Sequence, residues 1–310
     1  MKRSSFSIRQ LILLGLGVLP AASAASFVVG YDQAQGVDSY SQAKMTAIAG
    51  YSWYFAHASV GGNLMDGVAS LNATDPIFYP LTSLADDGVP PGSTVDGVIY
   101  EYDRGNPGWE PKVLDFTTYV NNGWRATKVD FAMNKLCFID NPWSVSEAHD
   151  IFVGYRDAMV NLETAYPTTP FVYATMPLTT DEDELNYYRN LYNQELRTWV
   201  TANNRILFDI ADIEAHAPGG AEQTFLYSGT TCQKLWSGYT TDGGHLDTTA
   251  GSELGARGFY AVTGMFVPIP EPAPAAWAAG IGLLLAAGVH RTLRRQQRDA
   301  PRTASPAAVP

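Results

Sequence analysis

The chain has 310 residues, 46% hydrophobic, 16% charged and 12% aromatic, a globular balance that excludes disordered, collagenous and coiled-coil classes. The two ends (1–24 and 271–310) hold eight of the 20 basic residues but only two of the 31 acidic ones, so the body keeps 12 basic against 29 acidic residues, a net of −17. Such a body repels phosphate backbones, which excludes nucleic acid as a partner, and two cysteines cannot build a disulfide scaffold or a four-cysteine zinc site.

Lys2 and Arg3, the apolar run Leu11–Leu19 and Ala22-Ser23-Ala24 stand in the order of a secretory signal peptide, with cleavage by signal peptidase expected after Ala24. Export permits disulfides, yet nothing in the spacing of Cys137 and Cys232 decides between a bridge and two buried thiols. Residues 25–266 carry no internal repeat and no low-complexity linker, so they read as one domain.

Within that domain, Ser52–Phe55 reads as a short aromatic strand and Ser59–Leu71 as a helix with glycines at its start. Val98–Tyr102 is a β-rich run, and Val129–Ile139 is a longer apolar strand of the kind covered on both faces. A helix over 146–165 aligns Ile151, Phe152, Tyr155, Met159 and Leu162. The strand Phe171–Ala174 comes next, then a helix over 183–202 with Leu185, Tyr188, Tyr192, Leu196 and Trp199 on one face. Ile206–Ile210 is the next strand, and a last helix follows Thr248. Five strands alternating with helices predict a three-layer α/β/α sandwich around a parallel sheet, with its chemistry in the loops at the carboxyl ends of the strands.

Two of those loops carry the residues of nucleophilic catalysis. His57-Ala58-Ser59-Val60-Gly61-Gly62-Asn63 sets a serine at a strand-to-helix turn, where the positive helix end and free N–H groups favour an alkoxide; the same serine also reads as a helix cap. Asp242-Gly243-Gly244-His245-Leu246-Asp247 supplies a base and its orienting carboxylate three residues apart; taken alone, it also reads as a solvated loop. Asp209, Asp212, Glu214 and His216 offer metal-binding side chains, but no second His at ligand spacing accompanies them, and no metal or other cofactor is expected. His57 reads as a buried structural histidine and His149 as a helix-surface one. Trp109, Trp124, Trp143 and Trp236 lie in or near predicted loops, where they read either as floors of a sugar cleft or as packing at the core edge.

Together the two loops resemble the SGNH/GDSL hydrolase superfamily, over about residues 50–265. His57-Ala58-Ser59 stands where Gly-Asp-Ser would stand, and Asp242–His245 matches the Asp-x-x-His block before the last helix. The Phe55–Asn63 segment is also similar to a divergent bacterial subgroup with His-x-Ser-Val-Gly. The resemblance implies a flavodoxin-like sandwich and a serine hydrolase acting on esters through Ser59, His245 and Asp242. It implies an oxyanion hole at Gly108 (alternative Gly105) and at a side-chain amide, Asn141 (alternative Asn134). The chain departs from the family in lacking the first-block Asp and the Gly-x-Asn-Asp of the third block. Those departures keep open a second reading, a non-catalytic surface or matrix protein that binds glycans.

At the C-terminus, Pro270-Glu271-Pro272 precedes an apolar stretch over 273–289 and then Arg291, Arg294, Arg295 and Arg298. This end (267–298) resembles the PEP-CTERM sorting signal of Gram-negative bacteria, which implies a transmembrane segment, processing by an exosortase and a place in the cell envelope or extracellular matrix. The tail 299–310 is expected to be disordered. An acyl or acetyl ester on a polysaccharide is the substrate that such a location suggests.

Overall fold

The computed structural model describes residues 27–86, 92 and 94–267; the signal peptide, the sorting motif, the apolar stretch 273–289 and the tail lie outside them. Among the described residues no helix is long and apolar enough to cross a membrane. In chain order the elements are β1 (Phe27–Val29), α1 (Tyr31–Gly36), α2 (Gln42–Ile48), β2 (Trp53–His57), α3 (Val60–Thr74), β3 (Thr82–Ala85), β4 (Val98–Asp103), α4 (Trp109–Asn121), β5 (Phe131–Asn134) and α5 (Val145–Ala165). The second half adds β6 (Phe171–Ala174), α6 (Glu184–Ala202), β7 (Ile206–Phe208), α7 (Ile210–Ala215), β8 (Thr224–Tyr227), β9 (Thr230–Gln233) and α8 (Thr249–Phe266).

The main sheet runs β1-β7-β6-β5-β2-β4-β3, and every pairing in it is parallel. Its inner five strands are the five expected from the sequence, in the flavodoxin-like order for which a crevice forms at the carboxyl edge. The sheet has seven strands rather than five, because β1 adds to β7 and β3 to β4 at the edges. The run 129–139 yields only four strand residues; beyond Asn134 the chain leaves the sheet and makes a 3₁₀ turn at Phe138–Asp140. The antiparallel hairpin β8–β9 stands apart from the sheet.

Strand composition matches burial. β2 (WYFAH), β5 (FAMN) and β6 (FVYA) are buried at every position, as central strands covered on both faces must be. On one face Tyr54, Ala56, Ala132 and Tyr173 pack with Val113 and Phe116 of α4, Ile151 and Tyr155 of α5, and Tyr192 and Leu196 of α6. On the other face Trp53 stacks on Phe131 and, with Phe55, meets Phe259 of α8 edge-on; the Trp53 indole donates to Thr263 Oγ1 at 3.1 Å. α3 lies on this second face against α8. The result is the α/β/α sandwich expected from the sequence.

Helix starts carry their own signals. Ser41, Ser144 and Asp183 accept the N–H three residues on at the heads of α2, α5 and α6. α4 has Pro at its third position, where a missing N–H costs nothing because first-turn N–H groups have no helical partner.

Candidate active site

β2 lies between β4 and β5, so the loops after those two strands flank the turn by which the chain leaves β2. Ser59 occupies that turn. It sits at φ +54°, ψ −112°, immediately before α3, a left-handed conformation that costs a non-glycine residue about 1–3 kcal/mol. The turn closes through Gly61 N–H to Ala58 O at 3.0 Å and Gly62 N–H to Ser59 O at 2.7 Å. Gly61 has a steric reason to lack a side chain: a Cβ there would stand 2.3 Å from His57 Cβ.

The segment before α8 meets this turn. Ser59 Oγ lies 2.5 Å from His245 Nε2, and His245 Nδ1 lies 2.6 Å from Asp242 Oδ2. Asp242 Oδ1 accepts the N–H groups of His245 and Gly244, each at 2.9 Å. Those two backbone donors, and then the imidazole, hold the Asp242 carboxyl well below the usual carboxylate range. A carboxylate that stays charged keeps the proton on Nδ1, so Nε2 presents a lone pair to the serine hydroxyl. Gly243 takes φ +88°, the conformation that lets the chain turn back between Asp and His. The imidazole side chain is 34% exposed and the carboxylate 51%, so the site is open to solvent.

The glycines proposed from sequence sit after β4. Gly105 N–H is spent on Asp103 Oδ1 at 3.1 Å. Gly108 caps α4 at φ +102°, and its N–H, like that of Ser59, has no partner among the described residues. Asn141 donates to Pro142 O at 3.4 Å, and the buried Asn134 accepts from Arg104 Nη2 at 2.5 Å. Neither is hydrogen-bonded to Ser59 among the described residues.

In the loop after β5, Cys137 is fully buried. Burial would push this thiol up, but the Lys135 ammonium and the Ser59 hydroxyl together hold it below the ordinary thiol value. The next residue, Phe138, sets its ring edge-on to His245 at 5.1 Å. Lys135 is itself buried and donates to Leu136 O at 3.1 Å and to Ala58 O at 3.5 Å, so it ties this loop to the residue preceding the serine. Burial lowers its pKa. Also buried is Glu214, whose Oε2 accepts Leu178 N–H at 2.8 Å while Oε1 has no hydrogen-bond partner among the described residues; burial raises this carboxyl to about 8.

The flanking loops are stitched to each other. Arg104 donates to Lys112 O at 2.9 Å and to Lys135 O at 2.9 Å, and burial lowers its pKa to about 10. Lys112, with no exposed surface, bonds Asn106 Oδ1 at 2.7 Å and Asp140 Oδ2 at 2.5 Å. None of these buried charges stands out in the sequence, because each finds its partner across strands rather than at a helical or hairpin spacing.

The remaining candidates separate. Asp209 is paired with Arg197 at 2.6 Å and Glu214 is buried, so the four-residue metal grouping read from sequence does not assemble. Asp212 and His216 instead come near Glu222, with the Gln233 amide already bonded to both carboxylates. His57 is buried, as expected, and donates to the Glu101 carboxylate at 2.7 Å; burial lowers its pKa. His149 is exposed and bonded to Glu195. Cys137 and Cys232 are both free thiols. Trp124 is buried in the core and Trp109 opens α4, where it lines a shallow apolar groove with Val113, Leu114 and Ala158. Trp236 packs edge-on to Tyr239 at 4.6 Å, and only Trp143 stands largely exposed.

No family model and no curated protein matches the sequence. Solved structures similar to the chain include an acylhydrolase candidate from Bacteroides fragilis (13% identity, 70% of this chain and 88% of that one, TM-score 0.47). A GDSL-like lipase from Bacteroides thetaiotaomicron is another (10% identity, 76% and 96%, TM-score 0.43).

Proposed function

We propose that this chain is an exported serine hydrolase of the SGNH type that cleaves carboxylic esters. The observation that carries the reading is the unbroken relay from Ser59 Oγ to His245 Nε2 and from His245 Nδ1 to Asp242, with both links within hydrogen-bond distance. In this reading Ser59 Oγ attacks the ester carbonyl as its proton passes to Nε2, and Asp242 stabilises the imidazolium so formed. The N–H groups of Ser59 and Gly108 are the backbone donors available to the oxyanion. Collapse of the tetrahedral intermediate breaks the ester C–O bond, and His245 returns the proton to the leaving alcohol. Water then attacks the acyl-serine with His245 as base, which releases the acid and restores the hydroxyl.

The open setting of His245 and Asp242 suits an ester carried on a polymer rather than one that must be engulfed. With the signal peptide and the sorting-signal resemblance, this supports acyl or acetyl groups on an extracellular polysaccharide as the substrate, met in the envelope or matrix. A fluorophosphonate probe tests the reading. The wild type is expected to label, Ser59→Ala to lose all labelling, and His245→Ala to label on the order of 10²-fold or more slowly. A wild type that resists the probe across the pH range overturns the hydrolase and favours the glycan-binding alternative.

A further inference from the structure

The loop after β5 touches the triad and then runs on to α5. Phe138 lies edge-on to His245 and against Gly244, where a Cβ would stand 2.8 Å from the Phe138 ring. The residues that follow leave Ile139, Trp143 and Val145 exposed, Trp143 by 70%. Among the described residues the Trp143 indole makes neither a hydrogen bond nor a ring contact. A lone exposed aliphatic side chain is ordinary, but a bare indole with two apolar neighbours in a loop that reaches the catalytic histidine marks an interaction surface. We propose that Trp143 is a specificity-determining residue of the same site, a stacking platform for one sugar ring of a neutral glycan whose ester group is held at Ser59.

The inference rests on the hydrolase reading and adds the part of the substrate that does not react. β2 and β5 pair in parallel, so the turn at Ser59 and the loop after β5 lie at the same edge of the sheet. Five residues carry the chain from Phe138 to Trp143, so their Cα atoms are at most about 18 Å apart. The 3₁₀ turn at Phe138–Asp140 shortens that span further. A few linked sugar rings cover it, whereas a small free ester does not. The main chain under the indole is fixed in advance. Trp143 N–H donates to Glu147 Oε2 at 2.7 Å, and Ser144 Oγ accepts Glu147 N–H at 3.1 Å at the head of α5. Upstream, Arg189 Nε donates to Phe138 O at 2.8 Å, and Lys112 holds Asp140 at 2.5 Å. Little backbone order is then lost on binding. The indole offers a flat apolar face with an N–H at its edge, and a pyranose offers a C–H face rimmed by hydroxyls, so the two stack with a hydroxyl free to accept that N–H. Charge argues against a bilayer as the occupant. Residues 138–150 include Asp140, Glu147 and Asp150 and no Lys or Arg, on a body of net −17. A membrane-binding surface instead sets basic side chains beside its apolar ones.

The test separates binding from turnover. The mature protein carrying Ser59→Ala is run in affinity gels cast with soluble xylan, glucomannan or dextran, where retardation needs no reactive serine. At least one glycan is expected to retard it, and adding Trp143→Ala should weaken that binding about tenfold. Trp143→Tyr, which keeps a flat ring, should stay within about threefold. With Ser59 intact and the O-acetylated form of the retarding glycan as substrate, Trp143→Ala should raise KM about tenfold with kcat within about twofold, the split expected of a group that binds the unreacting part of the substrate. Retardation by none of the three glycans overturns the proposal, as does equal retardation with and without the indole. Sedimentation with phosphatidylcholine–phosphatidylglycerol vesicles that depends on Trp143, in a protein no glycan retards, assigns the indole to a lipid surface and also overturns it. A wild type that labels with fluorophosphonate but binds no glycan loses only this inference. A wild type that resists the probe loses the hydrolase reading, and retardation that depends on Trp143 then stands as a glycan site without ester chemistry.

Discussion

At the residue scale, the site depends on a serine held where glycine would be more comfortable. Ser59 at φ +54° lifts its Oγ to the head of α3, at the cost of backbone strain that the surrounding turn must hold. The carboxylate contributes by fixing a tautomer. Replacing Asp242 with Asn would leave the two backbone N–H bonds nearly in place but set an amide against Nδ1. If that amide presents its NH₂, the ring must carry its proton on Nε2 and can no longer accept from Ser59. Asp242→Asn is therefore expected to lower kcat by up to ~10⁴-fold while the fold survives, measured as ester turnover beside a thermal melt. A loss under tenfold would show that the carboxylate does not govern the tautomer. These three residues were legible because each carries a local sign: a serine followed by glycines after a strand, and an Asp and His three apart beside two glycines. The burial of Cys137 in the loop after β5 was not, since a cysteine at the end of an apolar run looks like strand interior.

At the element scale, two helices deliver the two halves of the triad. α3 begins directly after Ser59 and α8 comes after His245, so their packing sets the distance between hydroxyl and imidazole. The contact is backbone to backbone: a Cβ at Gly67 would stand 2.0 Å from Ser252 O, and one at Gly255 would meet Leu64 Cδ2 at 2.5 Å. The carbonyl of Ser252 cannot rotate away as a side chain could, so α3 and α8 must part. Gly67→Ala is expected to destabilise the protein by about 1–3 kcal/mol in urea unfolding and to lower activity as well. Unchanged stability would mean that the helices are not packed this closely. Helices α5, α6 and α8 were legible from their apolar periodicity. α4 was not: Pro107, Gly108 and Pro111 look like loop punctuation, although a proline in the first helical turn loses nothing. The edge strands β1 and β3, three and four residues long, are too short for alternation to show.

At the scale of the whole molecule, the sheet gathers buried charge beneath its carboxyl edge. Glu214 illustrates the consequence. Its buried carboxyl keeps its proton to about pH 8, whereas in the unfolded chain it ionises near 4.5. Between those values the unfolded state binds fewer protons than the native state, so this group's contribution falls as pH rises through the window and is lost above it. In a urea series from pH 5 to 8.5 the wild type should lose stability relative to Glu214→Gln, which has no such proton to lose. Parallel curves would show that Glu214 is ionised in the fold. Lys112 with Asp140, and Arg104 with Asn134, put further buried charge where the two loops flanking Ser59 are joined.

The sequence alone determined the alternation of strands and helices, the five inner strands of the sheet, and the local motifs around Ser59 and His245, because hydrophobic period and turn chemistry act between near neighbours. Tertiary structure alone decided that those motifs meet and that lysine and glutamate lie buried near them. Those facts depend on which strands adjoin, and strand adjacency is set by burial of whole faces across the sheet, for which no single segment carries a signal.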